Sequence, residues 1–153
     1  MNIKIRRAKP NDARAIAKFN AQIAEETEHR SLDTNILSRG VKAILKDASK
    51  GIYFVAEVDR EVVGQIMITH EWSDWRNGTF WWIQSVYVRK DRRQQGVFRS
   101  LYEHVETLAK QKRGVCGLRL YVERENDRAQ KTYETLGMKR SAYEMFERDF
   151  TVS

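Results

Sequence analysis

The sequence predicts one α/β domain over residues 1–153, with a mixed, mostly antiparallel central sheet flanked by helices in the order βααβββαβαβ. The chain length is close to the commonest size of a single domain, and its 41% hydrophobic content is sufficient for one core. Segments with alternating apolar residues are interspersed with segments in which apolar residues recur at helical spacing. No repeat, linker or low-complexity segment divides the chain.

The first third of the chain predicts a strand followed by two helices. Residues 3–7 alternate enough to form the strand. Asn11 or Asp12 is placed to cap the first helix, because short polar side chains accept hydrogen bonds from the first N–H groups of a helix. Asp33 is expected to cap a second helix that runs to about Lys46.

Three consecutive antiparallel strands are predicted for the middle of the chain, over residues 51–88. A turn at Asp59 and Arg60 separates the first two strands, and Asn77 followed by Gly78 is a strong hairpin signal before the third. The four tryptophans of the chain are concentrated around this second turn.

The last part of the chain predicts a helix, a strand, a second helix and a closing strand. Apolar residues at helical spacing extend from Val97 to near Gly114. Residues 115–122 are predicted to form a strand, residues 126–137 a helix that ends at its final glycine, and residues 138–150 the closing strand.

Charge and cysteine content limit the possible partners and compartment. The net charge of +7 indicates anionic partners, which could be nucleic acid, an acidic membrane or a phosphorylated cofactor. Cys116 is the only cysteine, so no intramolecular disulfide is possible, and it is expected to be buried and inert. The N-terminal segment has charged residues throughout, and no segment approaches the length of a membrane span. We therefore expect a soluble, cytoplasmic protein without a membrane partner.

A basic turn, "RRQQG" at residues 92–96, stands where a predicted strand leads into a predicted helix. The first N–H groups of a helix have no intrahelical acceptor and carry the positive end of its dipole, so a glycine there lets an anion approach closely. The fingerprints GxGxxG and GxxxxGK[ST] are absent. The turn therefore indicates a phosphate-bearing ligand, bound neither as in dinucleotide folds nor as in P-loop NTPases.

Two motifs together resemble the GCN5-related N-acetyltransferase (GNAT) superfamily. Residues 93–98 resemble its pyrophosphate turn, although Phe98 replaces the usual second small residue. Residues 126–137 are similar to its fourth-helix pattern, in which an asparagine precedes a tyrosine by two turns and a Leu-Gly pair ends the helix. Both motifs lie on the expected elements in the expected order, and the resemblance covers essentially the whole chain.

The resemblance implies an N-acetyltransferase, an acyltransferase of the EC 2.3.1 type, that binds acetyl coenzyme A (acetyl-CoA). The backbone N–H groups from Gln95 to Arg99 would hold the pyrophosphate, and the pantetheine arm would lie along a strand edge where two strands splay apart. A backbone N–H at or near Val86 or Val88 would polarise the thioester carbonyl. The implied cofactor-binding residues are Val86, Tyr87, Val88, Arg93, Gln94, Gln95, Gly96, Val97, Phe98, Arg99, Asn126, Ala129 and Tyr133.

The resemblance also implies a catalytic residue, because Tyr133 matches the tyrosine that is often assigned as general acid to the coenzyme A thiolate. With a phenol pKa near ~10, its role is orientation as much as proton transfer. Tyr133 could instead be one more aromatic residue on a helix face, and Asn126 could be an N-cap or serve both purposes.

The general base is not identified by the sequence. The positions where the superfamily often has an acidic residue hold Gln84 and Ser85, and neither is a base. One possibility is a water bound by these side chains and relayed to a carboxylate, with Glu25, Glu28, Glu71 and Asp74 as candidates. The other is an acceptor amine with a low pKa.

The acceptor is expected to be a small-molecule or peptide amine. Trp72 and Trp75 lie near the hairpin tip, where they could line an acceptor pocket, form a dimer contact or simply pack, while Trp81 and Trp82 point to opposite faces. An aromatic wall beside acidic residues would suit a cationic amine. The candidate acceptor-binding residues are Glu28, Glu71, Trp75 and Gln84.

Two other functions remain open at this stage. An acyl-CoA sensor without turnover is compatible with the missing acidic residue, and a nucleic-acid-binding module is compatible with the basic runs "VRKDRR" and "AKQKR". No stacking pattern, recognition-helix motif or zinc spacing accompanies those runs, so no nucleic-acid partner is expected. The three histidines are too scattered for a metal site, and a homodimer is possible.

Overall fold

A computed structural model describes residues 1–151, which form two compact units that divide after Leu120. The first unit contains five strands, three helices and two short 3₁₀ segments, and the second contains one helix. In chain order the elements are β1 (Lys4–Arg7), a 3₁₀ segment (Pro10–Asp12), α1 (Ala13–Glu28), α2 (Thr34–Lys46), β2 (Ile52–Val58), β3 (Glu61–Ser73), β4 (Gly78–Val88), a second 3₁₀ segment (Lys90–Arg92), α3 (Val97–Gln111), β5 (Val115–Arg119) and α4 (Asp127–Thr135).

The sheet of the first unit has the strand order β1-β2-β3-β4-β5, in which the first four strands are antiparallel and β5 runs parallel to β4. Tyr53 and Val55 of β2 pack in a core cluster with Ile16 of α1. Phe54, between them, contacts His104 of α3 at 5.1 Å between ring centroids. Because successive strand residues point to opposite faces, α1 and α3 cover opposite faces of the sheet.

The predicted fold class is confirmed, and several boundaries agree closely. The Asp33 carboxylate accepts hydrogen bonds from the N–H groups of Asn35 and Ile36 at the start of α2. Asp59 and Arg60 adopt the left-handed conformation at the β2–β3 turn. Such a turn matches the right-handed twist of the strands that it joins.

The predicted closing strand over residues 138–150 does not form, so β5 is the last strand within residues 1–151 and ends three residues earlier than predicted. A stable strand needs a ladder partner and one buried face. The large apolar residues from position 143 onward stand at 143, 145, 146 and 150, where the alternation breaks, and their side chains are largely exposed. The observed order is therefore βααβββαβα.

Cys116, expected to be buried, is exposed. It lies on β5, the edge strand of the sheet. An edge strand has a neighbouring strand on one side only, so Cys116 is exposed although its segment is rich in apolar residues.

Asp12 is the N-cap residue of α1, but its carboxylate does not cap that helix. It accepts two hydrogen bonds from the Arg6 guanidinium, at 2.8 and 3.0 Å, and one from the Lys9 N–H at 2.7 Å. Arg6 also donates to Glu57 of β2 at 3.2 Å. Burial acts to raise the pKa of the Asp12 carboxyl, but the hydrogen bonds from Arg6 and Lys9 outweigh it and lower the pKa below its usual value.

We expect Asp12→Asn to lower the free energy of unfolding by about 2 kcal/mol, because charge-assisted hydrogen bonds are lost and Arg6 keeps only Glu57 as an acidic partner. The ionised carboxylate stabilises the fold above its unfolded pKa of about 3.9, so the difference between the two proteins should shrink as the pH falls through the lowered folded pKa. Urea unfolding followed by tryptophan fluorescence measures both effects. Asp74→Asn, which removes the same charge from an exposed turn, is the control, and an equal loss in that variant would contradict the assignment.

Candidate active site

The predicted phosphate turn joins β4 to α3 and contains two residues in the left-handed conformation. Gln94 has a φ of 62° and Gly96 a φ of 85°. Gly96 is the N-cap of α3, and a Cβ atom built there would meet no other atom within 4 Å. The glycine is therefore required by the backbone conformation, and the space above it is open.

The start of α3 offers backbone N–H groups to an anion. The first backbone hydrogen bond of the helix runs from the Ser100 N–H to the Gly96 carbonyl at 3.0 Å, and no side chain caps the helix. The N–H groups before Ser100 therefore have no intrahelical acceptor, and they lie at the positive end of the helix dipole.

The side chains around this turn contribute in different ways. Val97 is buried and can offer only its backbone N–H. The Phe98 ring lies 6.2 Å from the Tyr102 ring on the same helix. Gln95 donates to the Asp91 carbonyl at 3.3 Å, and Arg99 pairs with Glu103 at 2.9 Å. The groups available to a ligand are thus mainly those of the backbone.

Arg93, expected to bind the pyrophosphate, contacts α1 in this structure. Its guanidinium donates to the Val88 carbonyl at 2.8 Å and pairs with Glu26 at 2.9 Å. Glu26 was not among the candidate carboxylates, although Glu25 and Glu28 were. The signal was present in the sequence, because Glu26 continues the helical spacing of Ile16, Phe19 and Ile23 on the buried face of α1.

Tyr87 also contacts Glu26 and Arg93. Its hydroxyl donates to the second Glu26 oxygen at 2.6 Å, and its ring lies 5.2 Å from both the Phe19 ring and the Arg93 guanidinium carbon. Burial, with the adjacent Glu26 carboxylate, raises the pKa of Tyr87 to about 12. Burial also acts to raise the pKa of Glu26, but its hydrogen bonds with Tyr87 and Arg93 outweigh this and lower it.

The strand β4 carries a β-bulge at Ser85. Gln84 is paired with Met67 of β3, whereas Tyr87 is paired with Gln65, so β4 has one more residue than β3 across this interval. Ser85 has a φ of 50°, an uncommon value for a residue other than glycine.

The pairing of β4 with β5 ends on the hairpin side of the bulge, at Trp82 opposite Arg119. Val86 and Val88 lie beyond this last pair. Pairing with β5 therefore does not extend to the positions where the resemblance places the pantetheine arm.

A buried polar network lies beneath the bulge. Gln65, which is fully buried, donates from Nε2 to the Ser85 carbonyl at 3.0 Å and to Asn20 Oδ1 at 2.8 Å. Asn20 donates in turn to the Tyr53 hydroxyl at 2.9 Å. The sequence does not predict this network, because a glutamine in an apolar strand gives no sign of its partners.

The candidate acceptor-binding residues each have separate contacts in the structure. Gln84 donates to Thr69 at 2.6 Å, Glu28 pairs with its neighbour Arg30, and Trp75 is 86% exposed. Glu71 accepts hydrogen bonds from the Trp82 indole at 3.1 Å and from Arg119 at 2.7 Å. The hydrogen bond from Trp82, with that from Arg119, lowers the pKa of Glu71, so its carboxylate is a weaker base than usual.

The second unit contains the fourth-helix motif. Asn126 caps α4 by accepting a hydrogen bond from the Ala129 N–H at 3.1 Å, and Gly137, with a φ of 93°, follows the helix end. Tyr133 is half-buried within the helix, and burial raises the pKa of its hydroxyl. The expected capping role of Asn126 is therefore observed.

Neither a metal site nor a membrane-spanning helix is found in the part of the chain that the structure describes. Across residues 1–151, no three His, Cys, Asp or Glu side chains are placed to bind one metal ion. No helix in the same range has both the length and the apolar composition needed to span a bilayer.

Comparison with known proteins identifies the family. The family model described as "Acetyltransferase (GNAT) family" matches residues 15–138. The chain belongs to the GNAT acetyltransferase family. The matched residues include both the turn at Gly96 and the helix that carries Tyr133, so the resemblance read from the two motifs is confirmed.

Solved GNAT structures share the fold of this chain. A possible acetyltransferase from Clostridium difficile 630 is 48% identical, with a TM-score of 0.91 and coverage of 97% of this chain and 98% of that chain. Ribosomal-protein-alanine N-acetyltransferase from Brucella melitensis biovar Abortus 2308 is 19% identical, with a TM-score of 0.78 and coverage of 97% and 99%. Glucosamine-6-phosphate N-acetyltransferase from Arabidopsis thaliana is 20% identical, with a TM-score of 0.74 and coverage of 97% and 99%. No curated protein matches the chain.

We expect the Tyr87 hydroxyl of this GNAT protein to titrate near pH 12 and to do so at lower pH in Glu26→Gln, because the neighbouring negative charge is removed while burial remains. Tyr102 is a matched internal control, since its pKa is also raised to about 12, by burial and by Glu106. NMR of tyrosines labelled with ¹³C at Cζ resolves the two titrations. If Glu26→Gln lowers the pKa of both tyrosines, or of neither, the coupling between Tyr87 and Glu26 is disproved.

Proposed function

We propose that this protein transfers the acetyl group of acetyl-CoA to a primary amine by direct attack within a ternary complex. The observation that carries the proposal is the open, glycine-capped start of α3 at the end of a bulged β4. Family membership supports an acyltransferase, and acetyl-CoA is the usual cosubstrate of the family.

The residues of the turn fit a pyrophosphate. Backbone N–H groups from Gln95 to Arg99 would donate to its oxygens, and the positive end of the α3 dipole would stabilise its charge. The Arg93 guanidinium is positioned at the same turn by Glu26 and the Val88 carbonyl. The left-handed Gly96 leaves the approach open.

In this proposal, acyl transfer uses a backbone N–H of β4 near the bulge and the hydroxyl of Tyr133. Past Trp82, β4 is no longer paired with β5, so an N–H at Val86 or Val88 can donate to the thioester carbonyl as negative charge develops on its oxygen. The amine forms a bond to the carbonyl carbon while the carbon–sulfur bond breaks, and the Tyr133 hydroxyl protonates the departing thiolate.

Deprotonation of the acceptor remains the most demanding step. An amine of pKa ~10.4 is mostly protonated at pH 7, a handicap of about 4.6 kcal/mol. Glu71 is poorly suited as the base, because its ion pair with Arg119 and its hydrogen bond with Trp82 lower its pKa. We propose that a water molecule near Gln84 and Ser85 accepts the proton of the acceptor amine. An amine of low pKa would need this base least, because more of it is already neutral at pH 7.

The fold alone leaves the acceptor open. The structures named for a ribosomal-protein alanine and for glucosamine 6-phosphate share the fold at 19% and 20% identity. Both a peptide amine and an amino sugar are therefore compatible with the architecture.

We expect Gly96→Ala to weaken acetyl-CoA binding by about tenfold or more, since Ala disfavours the left-handed conformation and its methyl group would project into the open space at the helix start. Isothermal titration with acetyl-CoA measures the effect. Gly40→Ala is the control, because Gly40 lies within α2 with no atom near its Cβ position, and this change should leave affinity unaltered.

Failure of the wild-type protein to bind acetyl-CoA in this titration would refute the proposed function. Binding of a random oligonucleotide at physiological salt, without acetyl-CoA binding, would favour the nucleic-acid module instead. Titration with 3′-dephospho-coenzyme A separates the contribution of the pyrophosphate from that of the 3′-phosphate.

Tyr133→Phe should lower kcat by about 10²-fold while changing the Kd of acetyl-CoA little, because a general acid acts mainly in the transition state. Release of free thiol in the presence of an accepted amine gives kcat, and titration gives Kd. Tyr143→Phe, at a 74% exposed position, is the matched control. An acyl-CoA sensor would bind the cofactor without thiol release in any variant, and an unchanged kcat in Tyr133→Phe would exclude Tyr133 as the acid.

A further inference from the structure

The ring of Phe80 lies across β5 because residue 117 is a glycine. Phe80 and Gly117 are paired across the parallel strands, and a Cβ atom on Gly117 would approach Phe80 Cε1 to 2.8 Å. Any side chain at this position would displace the ring. Gly117 therefore leaves room for the buried Phe80 ring at the β4–β5 junction.

Two arginines contact this ring. The guanidinium carbon of Arg119 lies 3.6 Å from the ring centroid, and that of Arg76 lies 4.9 Å from it. Arg119 follows Gly117 by two residues on β5, and Arg76 belongs to the β3–β4 turn. Residues distant in sequence thus bring two positive charges to one aromatic surface.

Only one carboxylate balances these charges. Glu71 pairs with Arg119 at 2.7 Å. Arg76 is exposed and forms no ion pair within residues 1–151. Besides its contact with the Phe80 ring, it has a marginal 3.5 Å contact to the Ser73 hydroxyl and a longer-range electrostatic interaction with Glu71. The cluster therefore keeps one positive charge free for a ligand, and guanidinium groups bind carboxylate and phosphate with two parallel hydrogen bonds.

The cluster lies on the same strand and face as the candidate acceptor residues. Phe80, Trp82 and Gln84 alternate along one face of β4. Arg119 is paired with Trp82, three residues before the bulge at Ser85. The ring on which both guanidinium groups stack belongs to Phe80, five residues before the bulge. At about 3.4 Å per residue, the cluster therefore lies roughly 17 Å along the strand from the bulge.

We propose that Arg76 and Arg119, stacked on Phe80, bind an anionic group of the amine acceptor, either a carboxylate or a phosphate. The proposal rests on the acetyl-transfer function proposed above. It replaces a cationic acceptor with one that carries an amine and an anion separated by roughly 17 Å, the distance from the cluster to the bulge. Glu71 then serves to orient Arg119 and does not recognise the amine.

A binding test does not depend on turnover. Inorganic phosphate and acetate, each titrated against chloride at equal ionic strength, should shift the Nε–H signals of Arg76 and Arg119 and the indole signal of Trp82 saturably in NMR spectra. Arg76→Gln should weaken this binding about tenfold, the effect expected for loss of one charge-assisted hydrogen bond. Arg14→Gln, at an exposed position on α1, is the control and should change nothing. Because the signals are residue-specific, binding at the α3 turn is distinguished from binding here.

A kinetic test uses amines of one chain length. In thiol-release assays, 12-aminododecanoate or 11-aminoundecyl phosphate should have a higher kcat/KM than neutral 12-aminododecanamide or cationic 1,12-diaminododecane. Arg76→Gln should reduce that preference about tenfold, and Arg14→Gln should preserve it. Preference for the carboxylate or for the phosphate identifies which anion the site takes.

The outcomes separate this inference from the proposed function. Absence of saturable shifts at Arg76 and Arg119, or a preference for the neutral or cationic amine, would overturn the anion site even if acetyl-CoA binds. Saturable shifts that Arg76→Gln weakens would support the site even if acetyl-CoA does not bind, and the acetyl-transfer function would then be the part that fails.

Discussion

The β-bulge at Ser85 is the constraint on which the arrangement of the candidate site depends. Side chains of a strand alternate between the two faces of the sheet, so one extra residue reverses the face to which every later side chain points. Before the bulge, Gln84 is paired with Met67, which packs in the core cluster with α1 and α2. After the bulge, Tyr87 is on this same face and reaches Glu26, whereas uninterrupted alternation would direct it towards α3. The contacts of Tyr87 and Arg93 with Glu26 therefore depend on one additional residue in β4.

A buried amide stabilises this irregularity. Gln65 donates to the Ser85 carbonyl, one of the backbone groups that a bulge withdraws from regular pairing. Gln65 Oε1 is itself buried without a hydrogen-bond partner among the described residues, and burying an unsatisfied acceptor costs roughly 1–3 kcal/mol. A water molecule at this position would recover much of that cost. The bulge in β4 thus coexists with an unsatisfied polar atom in the interior. Local irregularities that cost stability are typical of functional sites.

Local signals made most of the fold predictable, whereas contacts between distant residues did not reveal themselves. Asp33 predicted the start of α2 correctly, because capping is a local interaction between neighbouring residues. Ser85 gave no sign of a bulge, since its left-handed conformation is imposed by tertiary contacts. The ion pair of Glu71 with Arg119 spans 48 positions, and it changed the expected character of the acceptor site. Glu26 lies between Glu25 and Glu28, the two candidate carboxylates of α1, and only its position on the helix distinguishes it from them.

The exposed apolar residues of the C-terminal segment bear on the solubility of the protein. Tyr143, Met145, Phe146 and Phe150 are 62–94% exposed, a composition that favours association through β-pairing. Four charged residues are interspersed among them, so the longest uninterrupted apolar run is the pair Met145 and Phe146. Charges placed in this way act as gatekeepers against aggregation. Neutralising them would remove that protection without altering any residue of the sheet, so concentrated samples would be most sensitive to changes in this segment.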